Sequence, residues 1–296
     1  MLHRGVVAAV FAYVLWGLLP VFWKSLAAVV PYEILCHRMV WSLLFTIGLI
    51  MVMGRLRSLH EAFSNLKNVA VFLPAASLLG VNWLLYIWAV NNGHVIEASL
   101  GYFINPLITV LFGMFFLKER LRAGQLAALL VALCGVVYLT VWYGQFPWVA
   151  LSLACTFALY GLLHKKTSVP ALEGLSLETM VLFVPALVVL IYKEKAGTGS
   201  FGHVDAELTL LLIATGVVTS LPLLFFGYAA QNIPLSLLGL LQYIAPSINL
   251  VLGILLYGEP FPFVRMFGFL LIWIALLLYV GEGMVQRARQ KEALRH

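Results

Sequence analysis

Ten stretches of mostly apolar residues follow one another along this chain, separated by short polar connections. About 20 such residues span the hydrocarbon core of a bilayer as an α-helix, whereas a barrel strand needs only about half that length. A helix also satisfies its own backbone hydrogen bonds, as lipid requires. The sequence therefore predicts an all-α membrane protein with ten transmembrane helices, numbered spans 1 to 10. Their expected ranges are 6–26, 33–53, 70–90, 98–117, 124–141, 147–163, 175–192, 207–229, 236–257 and 262–281.

The composition excludes a soluble enzyme or a disordered chain. Of the 296 residues, 63% are hydrophobic and only 10% are charged, whereas about a quarter of a soluble domain is charged. Cys36, Cys134 and Cys155 lie in apolar runs, without the paired spacing of a zinc site or a disulfide framework. We therefore expect neither a metal nor a cofactor.

Basic residues are divided unevenly between the connections. If the N-terminus is cytoplasmic, thirteen Lys and Arg residues lie on the cytoplasmic side and only Lys193 and Lys195 lie outside. Cytoplasmic connections carry such an excess, so the bias predicts that both termini are inside. It also accounts for the net charge of +6 without nucleic acid as a partner. Residues 55–67 have apolar side chains at helical spacing, which predicts a short amphipathic helix on the cytoplasmic face.

The chain also contains two related halves of five spans each. A shift of 140 residues superposes Asn92 on Asn232, Pro106 on Pro246, Gly113 on Gly253 and Glu119 on Glu259. Because five is odd, the second copy should lie upside down relative to the first, as in many secondary transporters. The basic segment 118–122 and its counterpart 258–262, which has no basic residue, agree with that inversion. We therefore predict two inverted five-helix repeats, residues 1–144 and 145–296.

Three motifs are similar to those of a known superfamily. Trp16-Gly17, Asn105-Pro106 and Lys118-Glu119-Arg120 resemble the EamA-type drug/metabolite transporters. Further segments resemble the RarD-like branch of that superfamily, whose members are commonly labelled chloramphenicol-sensitive proteins or chloramphenicol-resistance permeases; these are residues 15–20, 33–38, 41–42 and 159–166. The resemblance implies efflux of drugs or metabolites across the inner membrane.

Polar and aromatic residues within the spans are the candidates for a substrate cavity. Pro106 and Pro246 each free a backbone carbonyl at matched positions of the two halves, which suits a transporter site. With Gly17 and Pro20 they are the predicted hinges. The alternative is that helix packing satisfies these bends. The predicted cavity residues are Trp16, Lys24, His37, Arg38, Asn82, Tyr86, Tyr102, Asn105, Tyr228, Gln242, Tyr243 and Asn249.

Span 2 holds the densest group of ionisable residues. Glu33 and His37 are four residues apart and therefore share a helix face. Because histidine changes protonation near neutral pH, the pair is a candidate for proton coupling. The alternative for the basic residues Arg38 and Lys24 is that they extend to the membrane interface as anchors.

Several other polar residues have a structural interpretation. Glu97, Glu178, Arg265 and Glu282 lie at the ends of predicted spans, where we expect them to be solvated or at headgroup level. His164, at the inner end of span 6, would add to the polar lining. Residues 197–202 match G-x-G-x-x-G, but no βαβ unit surrounds them, so we interpret them as a flexible external loop.

The sequence thus predicts a secondary transporter, a permease or exporter of small organic metabolites or drugs that works by alternating access. Proton exchange is the candidate coupling. An integral-membrane enzyme and a passive channel or structural membrane subunit are the alternatives. The expected partners are the lipid bilayer and a small-molecule substrate, with a homodimer left open.

Overall fold

The computed structural model describes residues 2–258 and 263–293, with side chains for residues 2–258 and 266–283. Within these ranges the chain forms helices and no β-strand. The first six helices are α1 (Leu2–Lys24), α2 (Pro31–Val52), α3 (Leu56–Ser64), α4 (Leu66–Asn91), α5 (Val95–Leu117) and α6 (Ala123–Tyr143). The remaining six are α7 (Trp148–Lys166), α8 (Ala171–Lys195), α9 (Ala206–Asn232), α10 (Leu235–Leu241), α11 (Ile244–Leu255) and α12 (Phe263–Ala293).

Ten segments of the described chain are long and apolar enough to cross a membrane. Nine of them are single helices, and α10 and α11 together form the ninth span, Leu235–Leu255. Large apolar side chains such as Phe115, Val141 and Leu277 are more than 70% exposed, which fits a surface surrounded by lipid rather than water. The all-α fold with ten membrane-spanning helices is therefore confirmed.

The short helix α3 corresponds to the predicted amphipathic segment. It buries Leu59 and Ala62, which pack against apolar residues of α2 and α8. Arg57 and Glu61 lie on its exposed side and form an ion pair at 2.9 Å. An isolated helix of nine residues is marginal in water, so the apolar contacts of Leu59 with its neighbours hold it in place.

The helix ends gather at two faces of the bundle. At the N-terminal face, the beginning of α1 packs against the end of α9, where a Cβ on Gly5 would lie 2.6 Å from Ile233. The end of α7 reaches the same place, since Lys165 Nζ donates to the Ile233 carbonyl at 2.6 Å. At the opposite face, Lys193 near the end of α8 lies 2.7 Å from Glu33 at the beginning of α2. Consecutive spans therefore run back and forth, and α1 and α7 begin at different faces.

The same helix pairs recur when the two halves are exchanged. The contact of α1 with α9 corresponds to that of α7 with α4, and the contact of α2 with α9 to that of α8 with α4. The contact of α5 with α7 likewise corresponds to that of α11 with α1. Three further pairs join a helix to its own counterpart, namely α2 with α8, α5 with α10 and α6 with α12.

The predicted hinges behave differently in the two halves. The helix α5 continues through Pro106 from Val95 to Leu117. Its counterpart is interrupted at Gln242 and Tyr243, and Pro246 lies in the first turn of α11, where a missing N–H costs nothing. Pro20 lies inside α1, and a Cβ on Gly17 would lie 2.7 Å from Ile248, so Gly17 permits a close approach of α1 and α11.

Candidate substrate-binding cavity

A cavity of about 240 Å³ lies between the two halves, walled by seven helices: α1, α2, α4, α5, α7, α9 and α11. Neither α6 nor α12 contributes a described residue to this wall. Eight of the predicted cavity residues line it, namely Trp16, Arg38, Asn82, Tyr86, Tyr102, Asn105, Gln242 and Asn249, and the predicted hinges Pro20 and Pro246 lie beside them.

The guanidinium of Arg38 projects into this cavity from α2. Its Nε donates to Thr219 Oγ1 at 3.0 Å, and Thr219 lies in the middle of the membrane-spanning helix α9. Its Cζ lies 4.8 Å from the ring of Trp23 and 4.4 Å from that of Trp83. The side chain therefore turns inward to the bundle and does not extend to the interface.

Four amide side chains add polarity to the wall. Asn82 Nδ2 donates to the Leu153 carbonyl at 2.9 Å and to Thr156 Oγ1 at 2.8 Å, which ties α4 to α7. Asn105 Oδ1 accepts from Thr109. The buried Oδ1 of Asn249 has no hydrogen-bond partner in the described structure, although an unsatisfied amide oxygen costs about 1–3 kcal/mol. Asn249 therefore offers a ligand an unused acceptor.

Aromatic rings supply the apolar part of the wall. Trp16 packs against Phe157 with ring centroids 5.7 Å apart, and Tyr86 against Tyr102 at 6.1 Å. Toward the N-terminal face the cavity ends at a tightly packed cluster that includes Tyr13, Tyr160, Phe226, Leu235 and Leu238. The cavity is thus displaced toward the opposite face, and the cluster separates it from the N-terminal face.

Four predicted cavity residues lie elsewhere. Lys24 Nζ sits 3.8 Å above the ring of Tyr257 at the end of α1. Tyr243 is fully buried and donates to the Phe103 carbonyl at 3.1 Å, while Tyr228 is at the outer surface and 36% exposed. His37, the fourth, faces away from the cavity.

The predicted proton-coupling pair lies beside the loop between α8 and α9. His37 Nε2 is 4.0 Å from Glu33 Oε1, and its Nδ1 accepts from Trp41 Nε1 at 3.3 Å. Glu33 is also bound by Lys193, and the Ser200 backbone N–H donates to it at 2.7 Å. The G-x-G-x-x-G loop is therefore anchored over α2 rather than free, and its Phe201 stacks on His37 with a centroid distance of 5.2 Å.

The expectation that Glu97 and Glu178 are solvated is wrong. Glu97 is 2% exposed and Glu178 is completely buried, because each carboxylate has polar partners inside the protein. Glu97 Oε1 accepts from the Val149 backbone N–H at 2.7 Å, at the beginning of α7. The side chain of Glu282, in contrast, is 15% exposed and lies 3.5 Å from Arg122. Arg265 and Glu259 lie outside the residues whose side chains are described.

Sequence reasoning missed a buried cluster between α7 and α8. His164 Nε2 lies 2.7 Å from Glu178 Oε1, and Tyr160 donates to Glu178 Oε2 at 3.0 Å. His164 belongs to this cluster and does not line the cavity, contrary to expectation. The beginning of α8 at Ala171, rather than near residue 175, puts Glu178 two turns inside the helix, and a proline at residue 170 is the signal that could have shown this.

A central cavity walled by seven helices, within a bundle that has ten segments able to cross a membrane, fits a multi-pass membrane transporter. The chain belongs to the EamA-like transporter family, which its sequence matches twice, over residues 3–141 and 147–281. Among its relatives is a protein named RarD from Streptomyces exfoliatus, 43% identical over 99% of this chain and 93% of that protein. A Bacillus subtilis protein named uncharacterized transporter YojE is 42% identical, over 93% of each chain.

The fold also matches a solved structure. A crystal structure superposes with a TM-score of 0.75 over 94% of this chain and 98% of the other, at 20% sequence identity. At that identity the match concerns the fold, in which this chain and its structural relative agree over nearly their whole length.

Proposed function

We propose that this protein is a secondary transporter of small organic metabolites or drugs, working by alternating access in the inner membrane. The single observation that carries the proposal is the cavity of about 240 Å³ between the two halves, with amide, hydroxyl and aromatic side chains on its wall. Binding sites for small organic molecules combine a mostly apolar surface with a few placed polar groups in this way.

The two halves act as inverted repeats in this proposal, with the N-terminal face and both termini in the cytoplasm. The opposite starting faces of α1 and α7 and the excess of basic residues support this orientation. The halves pack through corresponding helix pairs, and in this proposal each half adopts the packing of the other in turn. Such an exchange would close the cavity at the opposite face and open it to the N-terminal face, as in other inverted-repeat carriers.

Coupling to protons through Glu33 and His37 is part of the proposal. Both are buried beside the loop between α8 and α9, on the face toward which the cavity is displaced. A homodimer formed through the outer faces of α6 and α12 is also proposed, since these helices pack mainly on each other and leave apolar side chains such as Leu130 and Leu277 exposed.

The test is counterflow in vesicles reconstituted with the purified full chain, using chloramphenicol and a panel of small aromatic solutes as probes. Saturable, exchange-stimulated flux is expected. Ala245→Trp should abolish it because Ala245 lines the cavity, whereas Ala70→Trp on the exposed side of α4 is the matched control and should not. Flux without saturation or exchange would indicate a channel, and chemical conversion of the probe would indicate a membrane enzyme.

A further inference from the structure

The cavity carries one formal charge. Among the described residues of its wall, Arg38 is the charged side chain, and the others are apolar, aromatic, amide or hydroxyl groups. A lone cation in a low-dielectric interior costs several kcal/mol unless an anion or water compensates it. The charge of Arg38 therefore needs a partner.

No acidic side chain of the described chain forms an ion pair with Arg38. The buried carboxylates have other partners: Glu33 pairs with Lys193, Glu173 with Arg55 and Glu178 with His164. Glu97 is bound by the Val149 backbone N–H and by Tyr143. The compensating anion is thus not supplied by the folded part of the protein that the structure describes.

Neighbouring side chains fix the position of the Arg38 guanidinium and leave its terminal N–H groups available. The rings of Trp23 and Trp83 lie within the distance at which an aromatic face attracts a cation, and Thr219 accepts the bond from Nε. A guanidinium has five N–H donors, and the terminal ones have no acceptor among the described residues. Two parallel N–H bonds from such a group match a carboxylate.

We propose that Arg38 binds the carboxylate of the substrate, so that the transported solute is a small organic anion with an apolar or aromatic body. The body would lie against the rings of Trp16, Tyr86 and Tyr102, which share the cavity with Arg38. A volume of about 240 Å³ is below the roughly 300–1,000 Å³ usual for ligand sites, which suits one ring rather than several. This inference rests on the proposed transport function.

The test compares matched ligands. The carboxylates 3-phenylpropionate and 4-phenylbutyrate, their methyl esters and the corresponding amines are titrated into the full chain in detergent, with tryptophan fluorescence as the readout. At least one acid should bind at least tenfold more tightly than its ester, which corresponds to a difference of about 1.4 kcal/mol in binding free energy. The amines should bind more weakly than the esters.

Two substitutions of the same residue separate charge from structure. Arg38→Gln should weaken binding of the acid at least tenfold and leave the ester unchanged, while Arg38→Lys should keep part of the preference. Arg57→Gln is the matched control, because Arg57 is exposed and paired with Glu61 outside the cavity. Thermal denaturation verifies that each variant is folded. Thr219→Val is a second variant, which keeps the charge of Arg38 and removes only the acceptor of its Nε.

The outcomes separate this inference from the transport function. Esters or amines that bind as tightly as the acids, no binding of any acid, or an acid preference unaffected by Arg38→Gln would each overturn the anion site. If neutral probes then still show saturable counterflow that Ala245→Trp abolishes, the transport function stands without it. If no probe shows saturable counterflow, the transport function itself fails.

Discussion

Glu33 and Glu173 are each the third residue of a helix, and each pairs with a basic residue at the far end of the other's helix. Glu33 of α2 lies 2.7 Å from Lys193 near the end of α8, and Glu173 of α8 lies 2.8 Å from Arg55 just after α2. Both carboxylates are at most 1% exposed. The helices α2 and α8 are thus joined near both ends by ion pairs at corresponding positions.

The first prediction concerns the unequal strength of these clamps. Glu33→Gln leaves Lys193 unpaired with a side chain only 6% exposed, whereas Glu173→Gln leaves Arg55, which is 32% exposed and can reach solvent. Removing one partner of a buried pair costs about 3–5 kcal/mol, so Glu33→Gln should destabilise by about 3 kcal/mol and Glu173→Gln by about 1 kcal/mol. Unfolding in increasing denaturant measures the difference.

A conservative control accompanies this prediction. Glu61→Gln breaks an ion pair whose side chains are 90% and 64% exposed, so stability should hardly change. Adding Lys193→Met to Glu33→Gln should recover part of the lost stability because it removes the unpaired charge. Equal losses for Glu33→Gln and Glu173→Gln would contradict the argument from burial.

The second prediction concerns proton coupling. His37→Gln should abolish uptake driven by a pH gradient while counterflow exchange continues, because coupling needs a group that binds a proton and exchange needs only the cavity. His203→Gln is the control, since His203 is exposed and pairs with Glu194 on the surface. Unchanged gradient dependence in both His37→Gln and Glu33→Gln would remove these residues from the mechanism.

The third prediction concerns the close packing of α9 on α2. A Cβ on Gly216 would overlap the backbone of Trp41, which cannot move aside as a flexible side chain would. Gly216→Ala should therefore destabilise the protein by about 1–3 kcal/mol and lower the yield of folded protein. Gly48→Ala is the matched control, because nothing lies within 4 Å of its Cβ position. A stable Gly216→Ala variant would show that the two helices can separate at this crossing.

The fourth prediction concerns Asn249, whose Oδ1 is buried without a partner in the described structure. Asn249→Leu removes no hydrogen bond of the folded protein, so its melting temperature should not fall. Transport should nevertheless decrease about tenfold, because the substrate loses a hydrogen bond to the amide; a factor of ten corresponds to about 1.4 kcal/mol. Asn92→Leu, on the exposed turn after α4, is the control for transport. A variant with full transport would assign Asn249 a packing role.

Much of the fold was predictable because the bilayer imposes length and polarity on each segment. The ten spans and the amphipathic helix follow from runs of apolar residues and from helical spacing. The boundaries were less certain: the beginnings of α5 and α8 lie several residues earlier than expected, at Val95 and Ala171. Glu97 thus lies in the first turn of α5 and Glu178 two turns inside α8, and this displacement is why the sequence places both at solvated ends.

The sequence predicted most residues of the candidate site but not their arrangement in space. Arg38, Asn82 and Asn249 meet at one cavity, while His37, one residue before Arg38, points to a different environment. Nothing in the sequence marks Thr219 as the partner of Arg38, since they lie 181 positions apart. The cluster of Glu178 with His164 was missed for a different reason, because α8 begins at Ala171 rather than near residue 175.

By itself, the sequence determined that the chain crosses a membrane ten times as two related halves, because the hydrophobic effect and the charge of the connections act on each segment separately. Only the tertiary structure decided which side chains face inward. These helices are apolar around their whole circumference, so amphipathicity does not orient them. Their rotation is set instead by close packing at small residues and by buried polar partners, which turns Arg38 toward the cavity and Glu33 toward Lys193.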